Sequence, residues 1–488
     1  MQRLSCSVRC MKQLDRRWKV LLVTGVAVFM AFLDVTIVNV AFPSIREEFP
    51  DTSLAGLSWV LNAYNIVFAA LLVPAGRLAD LLGRRRIFFV GMGLFLAASA
   101  LCGLAPSAEV LIGARVVQAA GAALLVPTSL GLLLPEFPPE RRATATALWG
   151  AIGGVAAATG PSLGGLLIEL TDWRLVFFVN LALGAAALVP ARRLLRETRD
   201  PDRGAVPDAL GIALLAGGVG ALSLAIVEAP SWGWGSARVL GAFAGSALLL
   251  AAFAWRSVVH PHPVLEFSLF KVRSFAAACA GVGVFALGFY AVLLANILFL
   301  TSVWDYSILR AGFAVTPGPL MAAGSSALAG RMIDRYGQRV SAAPGGLCFA
   351  VGCLLFAVGL GSEPAYVAEF LPATILTGIG VGLSFAGWSS AAVAELPPAR
   401  FATGSAISSC FRQLGAVLGI SVLIAVLGAT PSLSDFHRAY GLMAVTGATA
   451  ALIALTLRRV RATVPTWTSK SAPSTTPSPE RAPSAARS

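Results

Sequence analysis

Apolar residues run through this chain in blocks too long and too uniform to be one face of a soluble helix. A helix needs about 20 mostly apolar residues to cross a bilayer core. Blocks of that kind lie near 20–42, 57–75, 87–105, 109–134, 143–168, 174–191, 207–228 and 238–255, and again near 275–301, 310–329, 340–360, 366–393, 402–427 and 438–457. The links between them are short and rich in Gly, Pro and charge. The pattern predicts an all-α integral membrane bundle of fourteen transmembrane helices rather than a barrel. The first block follows Arg16, Arg17 and Lys19 but is too long for a signal peptide. No small-residue cleavage site follows it and Asp34 lies within it, so it reads as a retained helix, with Met11 an alternative start.

Composition agrees. Of 488 residues, 57% are apolar and 12% charged, where an ordinary soluble domain has about 45–50% and about 25%. That excludes a disordered chain and a single soluble globule. The net charge of +13 raises the question of a nucleic-acid partner, and the placement of the charges answers it. Of the 37 basic residues, 30 fall in the termini and in alternate links, and five (Arg46, Arg174, Arg238, Arg310, Arg438) in the other links. Only Arg115 and Arg412 lie inside spans. Basic residues concentrate on the cytoplasmic side of membrane proteins. Both termini are therefore expected in the cytoplasm of a plasma-membrane protein, and no nucleic acid is expected as partner. Seven cysteines make no disulfide framework. Cys6 and Cys10 precede the first span, and Cys348 and Cys353 read as packing residues. His260 and His262 form a His-Pro-His-Pro elbow with no third ligand near, so no metal site is expected. Trp232 and Trp234 read as interface anchors.

The chain also repeats itself. Gly76-Arg77-Leu78-Ala79-Asp80-Leu81-Leu82-Gly83-Arg84-Arg85 matches Gly330-Arg331-Met332-Ile333-Asp334-Arg335-Tyr336-Gly337-Gln338-Arg339 at five of ten positions, 254 residues on. The nine residues from Glu136 match those from Glu395 at six positions, 259 residues on. Both matches step by eight spans. The organisation predicted is a cytoplasmic N-terminus (1–19), a six-helix half (20–191), two inserted helices (207–258), a second six-helix half (275–458) and a disordered cytoplasmic tail (459–488). Parallel repeats about an axis along the membrane normal, with a site between them, are a transporter plan.

Four segments carry a resemblance. They are Leu33-Asp34-Val35-Thr36-Ile37-Val38-Asn39-Val40-Ala41, the loop from Gly76 to Arg86, Arg115-Val116-Val117-Gln118-Ala119-Ala120-Gly121, and Gly153 to Gly165 with Gly160-Pro161 and Gly164-Gly165. From about residue 20 to 458 the chain resembles the 14-helix drug:proton antiporter branch of the major facilitator superfamily (EmrB/QacA-type). Two positions depart from that pattern: Ala119 stands where Gly is usual and Ala182 where Pro is common. The resemblance implies proton-coupled efflux of lipophilic small molecules by alternating access, with the proton as coupling ion, no cofactor and no obligatory protein partner. Besides the small lipophilic substrate, the partner is the bilayer itself.

A charged residue inside a span costs about 2.5–3.5 kcal/mol and usually faces a cavity or a partner. Asp34 is therefore the first candidate for proton coupling, against a role as a helix–helix hydrogen-bond partner. Arg115 is the second, and the resemblance implies that it belongs to the proton relay, against a structural tie to a backbone carbonyl. Gln118 is one turn on from it, and the aligned position in the second half is Thr374. Asn39, Gln118, Arg412 and Gln413 are substrate-cavity candidates, with a structural role equally open for Arg412, which lies within three turns of the cytoplasmic end. Gly76, Gly83, Gly330 and Gly337 are expected at tight turns. The resemblance implies that, when the cavity faces out, Asp80 meets Arg400, and by the repeat Asp334 meets Arg141, in a cytoplasmic lock whose loop also carries Arg84. Gly153, Ala157, Gly160 and Gly164 fall on one helix face, which permits close packing, and Pro161 can kink that helix. Their link to antiport comes from the resemblance.

With Asp34 the one mid-span acid, the cargo is expected to be neutral, weakly acidic or monocationic. A membrane-embedded enzyme is disfavoured, since all three histidines lie outside the spans. A facilitator or importer is disfavoured by Asp34, and a transporter-like sensor by the lack of a soluble output domain.

Overall fold

The computed structural model describes residues 15–138, 141–199, 208–397 and 400–457. Cys6, Cys10, Met11, Asp202 and the tail from 459 fall outside them. Among the described residues all regular structure is helical. The helices are α1 (Arg16–Glu48), α2 (Leu54–Leu82), α3 (Arg84–Gly103), α4 (Ala108–Leu133), α5 (Arg142–Leu170), α6 (Leu175–Leu194), α7 (Ala209–Trp232) and α8 (Ala237–Val259). They continue as α9 (Arg273–Ser302), α10 in two pieces (α10a, Ile308–Val315, and α10b, Pro317–Tyr336), α11 (Arg339–Gly359), α12 (Leu371–Ala391), α13 (Phe401–Leu427) and α14 (Leu433–Leu455).

Among the described residues, thirteen helices are long and apolar enough to cross a bilayer alone. The fourteenth span is α10. Its break follows from Thr316-Pro317-Gly318-Pro319: proline has no N–H to donate and crowds the preceding turn. Arg331, Asp334 and Arg335 also lower the hydropathy of α10b. Side-chain caps fix several starts. Ser53 accepts from the Gly56 amide at 3.0 Å, Asp208 accepts from that of Gly211 at 3.0 Å, and Ser432 and Asp435 make a capping box. The α2–α3 and α10–α11 turns pivot on Gly83 (φ +109°) and Gly337 (φ +88°), where a side chain is strained. Gly76 and Gly330, expected in turns, are instead helical. One positive-φ residue suffices for each reversal, so the helix runs on through the first glycine of the motif.

The two halves repeat in space. In the first, α1 packs on α5 and α6, α4 on α2 and α3, and α3 on α6; in the second, eight helices on, α9 packs on α13 and α14, α12 on α10b and α11, and α11 on α14. The halves meet along two seams, α2 with α13 and α5 with α10. The inserted α7 packs on α8 and lies over the first seam. There Asn62 donates to Ser223 at 3.3 Å and to Ser421 at 3.2 Å, and the two hydroxyls are 2.8 Å apart. All three residues are fully buried, so this polar knot pins α7 to both halves.

Among the described residues the basic links share one end of the bundle: Arg16 donates to Glu136 and to the Leu194 carbonyl, Arg85 donates to the Arg192 carbonyl, and Arg77 and Arg400 both pair with Glu266. The opposite end is sealed. Arg46 donates to the Ala429 carbonyl at 3.1 Å, and α5 meets α10a so closely that a Cβ at Gly165 would lie 2.9 Å from the Leu309 Cα. Toward the basic end, α10b is largely exposed, as are Thr146, Leu148 and Gly150 of α5, and the second seam opens.

Candidate functional site

Asp34 and Arg115 form an ion pair in the middle of the first half. Each is 1% exposed or less. The Arg115 Nη1 donates to the Asp34 Oδ2. Gln118 donates from Nε2 to the Asp34 Oδ1 at 2.8 Å, and its own Oε1 accepts from the same Arg115 nitrogen at 2.7 Å. Asn180 reaches the Asp34 Oδ1 at 3.4 Å. Ser99 accepts from Gln118 at 2.8 Å and from Asn180 at 3.4 Å. The rest of the guanidinium is held by the Val60 carbonyl, 3.1 Å from Nε, and by the Tyr64 ring, whose centroid is 4.1 Å away. Five helices, α1, α2, α3, α4 and α6, thus contribute to one network around the Asp34–Arg115 pair.

Such a pair persists in apolar surroundings only if further donors and acceptors meet it, and here Gln118, Asn180 and the Val60 carbonyl do so. The arrangement is a buried carboxylate with a pre-built counter-charge. Gln118, expected on the cavity wall, is fully buried in this network instead. Its i+3 spacing from Arg115 puts it beside that residue, on the face turned into the half. Asn39 is also buried, and donates to the Val35 carbonyl at 2.6 Å. Sequence reasoning missed Tyr64, Ser99 and Asn180. Their signal was polar residues in the middle of apolar spans.

Arg412 and Gln413 sit where the halves face each other. Gln413 donates to Asn65 of α2 at 3.2 Å and accepts from the Tyr290 hydroxyl at 3.3 Å. The Arg412 guanidinium lies 5.9 Å from the ring centroids of both Phe32 in α1 and Phe385 in α12.

At the basic end the expected lock is not made in this conformation. Asp80 accepts from the Arg84 Nε at 2.8 Å, and Arg84 also reaches the Gly131 carbonyl at 3.3 Å. Arg400 pairs with Glu266, to which Arg77 also donates at 3.4 Å. Glu266 in the α8–α9 elbow, unmarked in the sequence, thus joins the α2 end to the start of α13. Asp334 and Arg141 are exposed and are not brought together.

On α5 the small residues face α1. A Cβ at Gly160 would overlap the Thr36 Oγ1, one at Gly164 would stand 2.8 Å from the Ile37 Cγ1, and one at Gly153 3.3 Å from the Phe32 ring. Pro161 faces the other way, its carbonyl 2.5 Å from a Cβ at Gly312 in α10a.

The family model described as Major Facilitator Superfamily matches residues 24–295 and 274–486. The chain is 36% identical to the multidrug resistance protein Stp of Mycobacterium tuberculosis, over 84% of this chain and 75% of that one. It is 35% identical to the puromycin resistance protein pur8 of Streptomyces alboniger, over 88% and 86%. It is 32% identical to the tetracenomycin C resistance and export protein of Streptomyces glaucescens, over 84% and 75%. Among solved structures, a mutant of the nucleoside transporter NupG superposes with a TM-score of 0.64 at 12% identity, over 90% of this chain and 99% of that one. A mutant of the peptide transporter POT, in complex with sulfate, does so with 0.66 at 14% identity, over 91% and 98%. By sequence, by the eight-helix repeat and by fold, the chain belongs to the Major Facilitator Superfamily, in its branch of drug and antibiotic exporters.

Proposed function

We propose that this transporter exports lipophilic small molecules across the plasma membrane in exchange for protons, with its basic end and both termini in the cytoplasm. The observation that carries the reading is the buried Asp34–Arg115 pair, the one ion pair held in the middle of the membrane-spanning helices among the described residues. In the conformation open to the basic end Asp34 is held by Arg115. The cavity between the halves takes up cargo there, the loaded protein turns, and a proton arriving from the outer side displaces Arg115 from Asp34. One proton moving down ~200 mV supplies roughly 4.6 kcal/mol. That is enough to hold a neutral cargo at a gradient of roughly a thousand-fold. A susceptibility panel comparing strains that express the wild type and Asp34→Asn tests the reading. Protection by both alike would refute proton coupling at Asp34.

The orientation has its own test. A cysteine at Ser231 should react with an impermeant maleimide added to intact cells, and one at Asp202 should react only after lysis. The reverse result would invert the topology.

The basic-end loop is read as the inner gate. When the cavity faces out, Asp80 would leave Arg84 for the α13 N-terminus and Arg400, where the helix dipole favours an anion. Asp80→Asn should then lower dye efflux at least about ten-fold, the effect of one partly buried charged pair, and Asp334→Asn should lower it less. Equal efflux by wild type and Asp80→Asn at matched expression would rule the gate out.

A further inference from the structure

Two residues apart on an α-helix point about 200° apart, to nearly opposite faces. Asp34 and Phe32 stand in that relation on α1. Asp34 turns into the first half, toward Arg115. Phe32 turns toward α5 and α13, where it lies beneath Gly153 and beside the Arg412 guanidinium. The proton site and the space between the halves therefore share a level on α1 but not a face, and Asp34 is already engaged by Arg115.

Arg412 is thus left as a cation without an anion. It makes no hydrogen bond or ion pair among the described residues, and its Nε is buried without a partner. Its neighbour Gln413 is taken by Asn65 and Tyr290. Two rings lie beside the guanidinium, Phe32 from the first half and Phe385 from the second, and Phe289 makes an edge contact with Phe385 at 5.2 Å. All four side chains are partly exposed. An arginine at membrane depth is normally paired, with a carboxylate or with backbone carbonyls. Guanidinium is also the side chain best shaped to take a carboxylate through two parallel hydrogen bonds. Its flanking ring faces suit a planar aromatic body.

We infer that Arg412 is the anion-binding residue of the cargo site: the exported compound presents a carboxylate or phenolate to Arg412 and lays its aromatic part between Phe32 and Phe385. This rests on the efflux reading above and narrows it from lipophilic compounds in general to acidic aromatic ones. It also separates the two charges of the cycle. The proton is carried by Asp34 on one face of α1 and the anion by Arg412 on the other, so cargo and proton are coupled through movement of α1 and do not compete for one carboxylate.

The test uses the full chain in proteoliposomes under an imposed pH gradient, with two xanthene dyes of one scaffold, anionic fluorescein and the cationic rhodamine 123. Wild type should export fluorescein. Arg412→Gln should raise its half-saturating concentration about 10- to 100-fold, the worth of one charge-assisted contact, while rhodamine export stays the same or improves. Arg412→Lys should recover part of the fluorescein export, since it restores the charge without the fork. Equal loss of both dyes in Arg412→Gln would make Arg412 a structural residue. Wild-type export of rhodamine but not of fluorescein would overturn the anion assignment. Export of neither dye by wild type would count against the efflux reading itself, which is a different result.

Discussion

In proteoliposomes with an imposed pH gradient, Asp34→Asn should abolish uphill export while leaving downhill exchange of cargo measurable. The substitution keeps the shape of the side chain and its capacity to bond Gln118 and Asn180. It removes the charge that Arg115 answers and the proton that Asp34 would carry. Breaking a buried pair at one partner costs about 3–5 kcal/mol, because the other charge is left uncompensated. Lower expression is therefore expected too, and expression alone proves nothing. The decisive comparison is with Asp34→Asn/Arg115→Gln, which removes both charges. It should recover expression, since a neutral buried network carries no unpaired charge, and it should still fail to couple. Downhill exchange in both variants should lose its dependence on the pH gradient. Gradient-driven accumulation by either variant at wild-type rates would move the coupling site elsewhere.

Much of this was legible in the chain. The fourteen spans follow from apolar run length, because a bilayer leaves the backbone few choices. The two-half plan follows from the loop repeat, and the contacts within the halves reproduce it at the same step of eight helices. Asp34 and Arg115 stood out because charge is costly there. The polar shell around them was harder to see. Ser99, Asn180 and Tyr64 are ordinary residues whose role depends on which helices converge, and periodicity within one span says nothing about that. The face of Gln118 was misjudged for the same reason, since the strip it shares with Arg115 looks into the first half and not into the space between halves. Glu266 could not be found at all. It lies in an elbow without a repeat partner, and only the fold brings it to Arg77 and Arg400. The break in α10 was written in Thr316-Pro317-Gly318-Pro319, but run length counted across it.

Gly160→Val should abolish transport in an intact, assembled protein. Helix α5 is a wedge with two tight faces. On one, Gly160 and Gly164 let it approach α1 at Thr36 and Ile37; on the other, the Pro161 carbonyl and Gly165 touch α10a of the opposite half. Thr36 cannot yield cheaply. Its β-branched side chain is stiff, and its hydroxyl donates to the Leu33 carbonyl at 3.1 Å. A Cβ at Gly160 would also lie 2.9 Å from the Thr36 Cβ. Relief requires α5 to leave α1, and any such shift disturbs the contact that seals the far end. Overpacking of this kind costs about 1–3 kcal/mol. If that cost falls on the sealed conformation alone, its population drops by roughly 5- to 150-fold relative to the other state. Gly154→Val is the control, one helix face away, where an added Cβ meets nothing within 4 Å; it should transport as the wild type does. Gly312→Val should resemble Gly160→Val, since its Cβ would strike the Pro161 carbonyl from the opposite side of the same contact. The conformational reading is checked by a cysteine at Leu309, which should gain reactivity toward an impermeant reagent from outside in both damaging variants. If Gly160→Val exports normally, or if Gly154→Val fails equally, the close approach of α5 to α1 is packing alone and has no part in linking Asp34 to the seam.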